Sequence, residues 1–166
     1  MLSLVSFLKN RGFHLSSFSL LFALAMVSGI SLHAQISLTT TPYTQNFNTL
    51  AKSGLASTLP SGWILLETGT NANATYTAGT GSSTSGDTYS FGVDAADDRA
   101  LGTVQSGSLI STIGVAFTNT TGGPVTSLKI SYVGEQWRLG ATARPDRLDF
   151  QYSTDATSLA TGTWTN

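Results

Sequence analysis

The sequence predicts an all-β protein, and three observations carry that expectation. Apolar residues recur with period two, or in short runs bounded by Gly, Pro, Asn or Ser, which is the strand pattern. Thr, Ser, Gly and Asn dominate while charged residues are only 10% of the chain, a balance that suits pleated strands and tight turns. No stretch after Gln35 shows a helical period. The expected architecture is an antiparallel, two-layer, jelly-roll-like sandwich that follows a signal-peptide helix and is incomplete at its C-terminal end.

The first residues read as a leader. Lys9, Arg11 and His14 form a basic start, and no acidic residue precedes Glu67. The apolar stretch 18–30 is short of the ~20 residues that span a bilayer and has the length of a signal-peptide core. Ala34 offers the small residue at which a signal peptidase cuts, so the division is a signal peptide at 1–34 and a β-sandwich domain at 35–166. An uncleaved anchor is the competing reading. With no Cys in the chain, a lipid-anchored form is excluded.

Strands follow in order. Residues 36–40 and 43–48 are the first two. Pro60-Ser-Gly62 turns the chain into 63–67, apolar on both faces and therefore expected at the centre of a sheet. The stretch 73–78 is a candidate strand inside a polar run, and 79–86 is a flexible loop by composition. Tyr89, Phe91 and Val93 alternate in the next strand, 99–104 follows an acidic turn, and Ile113, Val115 and Phe117 share the inward face of a longer one. Leu128, Ile130 and Tyr132 then mirror Leu148, Phe150 and Tyr152. A hairpin through 140–145 would turn both triplets to the core and set Glu135 opposite Arg147, an attractive cross-strand pair. The chain stops at Gly162-Thr-Trp-Thr-Asn166, which reads as the opening of another strand in a longer protein.

Composition removes several function classes. Beyond residue 34 about 130 residues remain, enough for one core, with nine acidic and six basic side chains. That balance is too weakly charged to point to nucleic acid or a membrane surface. The two histidines, His14 and His33, both lie in the leader. Ser-His-Asp hydrolysis, thiol catalysis and His- or Cys-ligated metals are therefore excluded from the domain.

What remains are three candidate sites. Asp94, Asp97 and Asp98, with Asp87 nearby, have the oxygen ligands a calcium ion takes from a loop, yet they lack EF-hand spacing, and Asp is also an ordinary turn residue. Glu135 and Asp149 are carboxylates on adjacent predicted strands and admit a glycosidase pair ~5–9.5 Å apart; ion pairs with Arg138, Arg144 and Arg147 are the plainer reading. Trp137, flanked by Glu135, Gln136 and Arg138, would stack on a sugar ring if exposed. It would otherwise pack beneath a loop or carry Arg147 on its face. Trp137, Glu135, Arg138 and Arg147 are thus the candidate ligand-binding residues. The sequons at Asn73 and Asn119 are compatible with chance in so Asn- and Thr-rich a chain.

Several segments, Tyr43-Thr-Gln-Asn-Phe-Asn-Thr-Leu50, Leu59-Pro-Ser-Gly-Trp63, Asp98-Arg-Ala-Leu-Gly102, Gly134-Glu-Gln-Trp-Arg138 and Asp146-Arg-Leu-Asp-Phe-Gln-Tyr-Ser153, together resemble an N-terminal module of large exported bacterial surface proteins. Such proteins often end in a sorting or anchoring signal, and some carry nuclease- or phosphatase-like domains. The resemblance implies a jelly-roll-like sandwich continuing past Asn166 and brings no catalytic residues. Three functions stand open: a non-catalytic surface module that binds polysaccharide or another cell-surface component or serves as a spacer, the non-catalytic start of a secreted hydrolase, and a glycan-cleaving sandwich that acts through Glu135 and Asp149. The leader makes one direct prediction: intact-mass measurement of the exported protein finds Gln35 as the first residue, whereas retention of Met1 or Leu2 identifies an anchor.

Overall fold

The computed structural model describes residues 2–9, 34–143 and 146–166. Among the described residues there are nine strands and no helix, so the all-β expectation holds. The strands are β1 (Leu2–Lys9), β2 (Ile36–Leu38), β3 (Leu55–Ala56), β4 (Trp63–Thr68), β5 (Tyr76–Gly79), β6 (Asp87–Phe91), β7 (Ala100–Val104), β8 (Ile110–Asn119) and β9 (Leu148–Ser153). The leader core expected as a helix over 18–30 lies outside the described residues.

Ten-residue β8 is the spine of the first sheet. β4 runs antiparallel along its first half, pairing Leu65 with Ile113 and Trp63 with Val115. β2 runs parallel along its last residues, from Ile36 opposite Phe117. β1 lies parallel to β8 and, on its far side, parallel to β9. The run 63–67, expected at a sheet centre, is instead an edge strand that pairs, among the described residues, with β8 alone. It is apolar on both faces because each face is covered, not because it has strands on both sides.

The second sheet has the order β3-β5-β6-β7. β6 and β7 are antiparallel, but β5 and β6 are parallel. Both sheets are therefore mixed, which corrects the purely antiparallel expectation. The reason is local: 80–86 carries the chain back to the starting end of β5 instead of folding into a hairpin. Hydroxyls hold that return in place. The Tyr89 hydroxyl lies 2.8 Å from Ser83 Oγ and donates to the Ser85 carbonyl at 3.0 Å. The loop called flexible on composition is thus tied down by side chains that composition does not locate. Residues 43–48 are not a strand either, because Gln45 Oε1 and Asn46 Oδ1 accept from the backbone N–H two residues on and close local turns.

Pairing parity decides which residues meet between the sheets. Tyr76, Thr88, Ser90, Leu101 and Thr103 share one face of the second sheet, and Leu65, Glu67, Ser111 and Ile113 share one face of the first. Leu50, Tyr76, Leu101 and Ile113 join in one buried cluster with Trp63 and Leu65 packed against it. Beside this apolar part lies a polar one. Buried Glu67 accepts from the Asn73 N–H at 3.0 Å, the Thr88 N–H at 3.1 Å and the Thr88 hydroxyl at 2.6 Å. Ser111 Oγ stands 2.7 Å from Thr88 Oγ1, and Thr103 Oγ1 donates to Ser111 Oγ at 3.0 Å. A carboxylate on one sheet thereby collects donors from both.

The opposite face of the first sheet is covered by the C-terminal loop. Ile64 and Ala116 bury against Ala156 and Leu159, with Leu66 and Trp164 alongside. Asp155 closes this loop by accepting from the Thr163 N–H at 2.8 Å and the Ser153 hydroxyl at 2.7 Å. Gly162 is required here: its φ is +83°, and a Cβ would stand 2.5 Å from Ala156 Cα.

The hairpin expected between 128–132 and 148–152 does not form. β9 exists, but 124–140 makes no strand pairing, and Leu128, Ile130 and Tyr132 are exposed rather than inward. Both edges of β9 are already engaged, one by β1 and the other by a bridge from Tyr152 to Thr165. Of the expected triplet contacts, Tyr132 and Phe150 stack at 6.2 Å.

Two outcomes follow from this packing. Glu67→Ala orphans buried donors and lowers stability by about 3 kcal/mol in urea titration, while Ile110→Ala on the exposed start of β8 changes it by no more than about 0.5 kcal/mol; equal effects would deny the carboxylate its place. The hydrogen bond from the Thr163 N–H, followed by that from Ser153, holds the Asp155 pKa below its ordinary 3.8. A lowered carboxylate pKa stabilises the fold above the unfolded value and loses that contribution as pH falls through the folded one. An NMR titration should therefore find the Asp155 midpoint below 3.8, with the Thr163 amide shifting in step, and Asp155→Asn should abolish the step.

Candidate functional site

The second sheet ends at β7, whose outer edge has no strand partner among the described residues. Along that edge runs a groove of about 2130 Å³. It is lined by β7 and by the unpaired segment 128–138, with Tyr43, Trp63, Phe91 and Trp137 among the aromatic residues of the lining. A large groove lined by aromatic rings and a few charged groups is where a ligand site is expected.

Trp137 is positioned by the outer face of the second sheet. Tyr89 and Phe91 stack at 5.1 Å and 24°, and Phe91 and Trp137 at 6.0 Å and 10°. Small residues make room for these rings: a Cβ on Gly102 would lie 2.8 Å from the Phe91 ring. The backbone beyond is equally close, since Gly81, at φ +85°, would place a Cβ 2.2 Å from the Trp137 carbonyl oxygen. Glu135 then fixes the indole by accepting from Trp137 Nε1 at 2.8 Å. Arg138 Nη1 donates to the Ser82 carbonyl at 3.0 Å, fastening the segment to the 80–86 loop. The indole is half-buried, with one face committed to Phe91.

Also on the lining, Trp63 Nε1 donates to the Tyr43 hydroxyl at 2.9 Å, and Phe47 meets Trp63 edge-on at 4.6 Å. Trp63 is thus both a packing residue and part of the groove lining.

The structure brings Glu135, Trp137 and Arg138 together and leaves the other candidates with separate tasks. Arg147 pairs with Asp149 across 3.0 Å, not with Glu135, because the hairpin that would have opposed them is absent. Asp97 pairs with Lys52. Among the described residues no three of His, Cys, Asp and Glu gather closely enough to hold a metal ion, the aspartates 94, 97 and 98 included. Arg144 lies outside the described residues. Asn73 and Asn119 each accept from the N–H two residues on, at 2.7 and 3.0 Å, so both sequon asparagines also serve as turn closers.

A smaller cleft of about 520 Å³ between β5, β6 and the 80–86 loop is lined by Thr77, Ser83, Asp87 and Tyr89. Its polar groups largely satisfy one another: Thr77 donates to Asp87 at 2.7 Å, and Tyr89 meets Ser83.

Sequence reading did not find Arg99 as a buried residue. Its side chain is only 4% exposed, and Nε donates to Ser90 Oγ at 2.9 Å while Nη2 donates to the Ser90 carbonyl. Ser90 Oγ in turn donates to the Ala51 carbonyl. Gly92 leaves the space for this guanidinium, as a Cβ there would lie 2.2 Å from Nη1. An Arg after an acidic turn carries no signal of burial; the alternation of Ser90 with Tyr89 and Phe91 was the available hint of a polar pocket.

No protein family matches the chain, and no significant match exists among curated proteins or solved structures. The functional reading therefore rests on the chain's own residues.

Proposed function

We propose that this chain is a non-catalytic, exported module of an extracellular or surface protein, a jelly-roll-like sandwich that binds a polysaccharide along the β7 groove. One observation carries the reading: Trp137 is stacked on Phe91, oriented through Nε1 by Glu135 and flanked by Arg138, on the wall of an open groove. An immobilised aromatic with neighbouring donors and acceptors suits a sugar, which presents an apolar ring face and a rim of hydroxyls. The unpaired edge of β7 adds backbone N–H and C=O groups along the same groove.

The carboxylates favour binding over bond cleavage. Glu135 is engaged by Trp137 and Asp149 by Arg147, while Glu67 is buried among its donors. The resemblance to the N-terminal module of exported bacterial surface proteins and the leader at 1–34 support an extracellular setting, and the weak negative charge speaks against a nucleic-acid partner.

Titration with a panel of soluble polysaccharides should give a saturable shift in tryptophan emission. Trp137→Ala should raise the half-saturation concentration about tenfold with far-UV circular dichroism unchanged. A flat response across the panel, or an unaltered midpoint in the variant, sinks the assignment.

A further inference from the structure

Arg99 stands immediately before β7, and its side chain is only 4% exposed. It nevertheless belongs to the lining of the β7 groove. The guanidinium lies against Ser90, with Nε donating to Ser90 Oγ at 2.9 Å and Nη2 to the Ser90 carbonyl. Nη1 reaches the Val93 carbonyl at 3.4 Å. All of these acceptors are neutral. A guanidinium carries five N–H groups, so one on each terminal nitrogen has no protein acceptor among the described residues.

No carboxylate offsets the charge at close range either. The ion pairs among the described residues join Lys52 to Asp97 and Arg147 to Asp149. Asp97 is thus taken by Lys52, while Asp94 and Asp98 stay exposed. A charge taken out of water without a counter-ion is costly, and carbonyl acceptors satisfy its donors without neutralising it. The groove lining holds as many acidic as basic side chains, so net attraction does not argue for an anion. The buried place of Arg99 does.

We propose that Arg99 is the anion-recognising group of the groove, and that the polysaccharide bound there is a polyuronate whose carboxylate supplies the missing counter-ion. A planar carboxylate matches two guanidinium N–H groups better than a point charge would. A polyuronate carries one on every sugar, so the ring on Trp137 and the carboxylate on Arg99 need not belong to the same unit. This rests on the polysaccharide reading of the groove and adds the class of sugar.

The experiment compares two polymers of one backbone, polygalacturonate and its carboxyl-reduced, neutral form, by tryptophan emission of the full chain. The acidic polymer should half-saturate at about a tenfold lower concentration. Arg99→Lys keeps the charge and loses the fork; shown folded by near-UV circular dichroism, it should bring that preference toward unity. The Nε–Hε resonance of Arg99, assigned by its loss in the variant, should shift with galacturonate oligomers and stay in place with neutral ones. That signal is read in the unmodified protein and remains decisive if the variant does not fold. Equal affinity for the two polymers would overturn the polyuronate while leaving the groove a glycan site. A preference that persists in folded Arg99→Lys, with the Arg99 resonance unmoved, would overturn the assignment to Arg99. Silence toward both polymers, when a neutral member of the wider panel binds, would overturn the acidic class; silence toward the whole panel removes the polysaccharide reading and this inference with it.

Discussion

The buried carboxylate of Glu67 is the constraint around which the two sheets are arranged. It stands on β4, takes two hydrogen bonds from Thr88 on β6 and lies beside Ser111 of β8, with Thr103 of β7 behind. A charge taken out of water is tolerated only where donors surround it. Here those donors come from both sheets, so the sheets cannot slide without orphaning one of them. The Thr88 hydroxyl donates to the carboxylate at 2.6 Å, and Ser111 Oγ stands 2.7 Å from Thr88 Oγ1. An apolar contact at this position would tolerate several registers, whereas the carboxylate tolerates few.

The second dependence runs through β8. Its first half carries β4, its last residues carry β2, and its other edge carries β1. Ile113 and Val115 look toward the second sheet while Ala116 looks toward the C-terminal loop. A strand with partners on both edges and packing on both faces leaves no room for 124–140, which instead passes outside and becomes the wall of the groove. The exposure of Leu128, Ile130 and Tyr132 and the existence of the groove are thus two consequences of one arrangement.

The candidate site was legible in part. Trp137, Glu135 and Arg138 stand out in the sequence as an aromatic among polar neighbours, and the structure does hold them together. Arg147 does not join them, because its placement relied on a cross-strand register and the strand in question never pairs. Phe91 as the support of Trp137 was not legible: Tyr89 and Phe91 alternate with Thr88 and Ser90 along one strand, and it is Thr88 and Ser90 that face the other sheet. Period-two alternation separates two faces but does not say which face meets the core when both are covered.

By itself the sequence determined the β class, the approximate position of most strands, the turn residues and the chemistry that is missing after residue 34. Those properties are local: alternation, β-branched and hydroxyl side chains, and Gly at bends act within a few residues of their own position. Only the tertiary structure decided the parallel pairing of β5 with β6, the edge position of β4, and the burial of Glu67 and Arg99. Each of these depends on which distant segment reaches a strand edge or a buried donor first. Two strands compete for one edge through backbone groups that are the same in every residue, so no local pattern can name the winner.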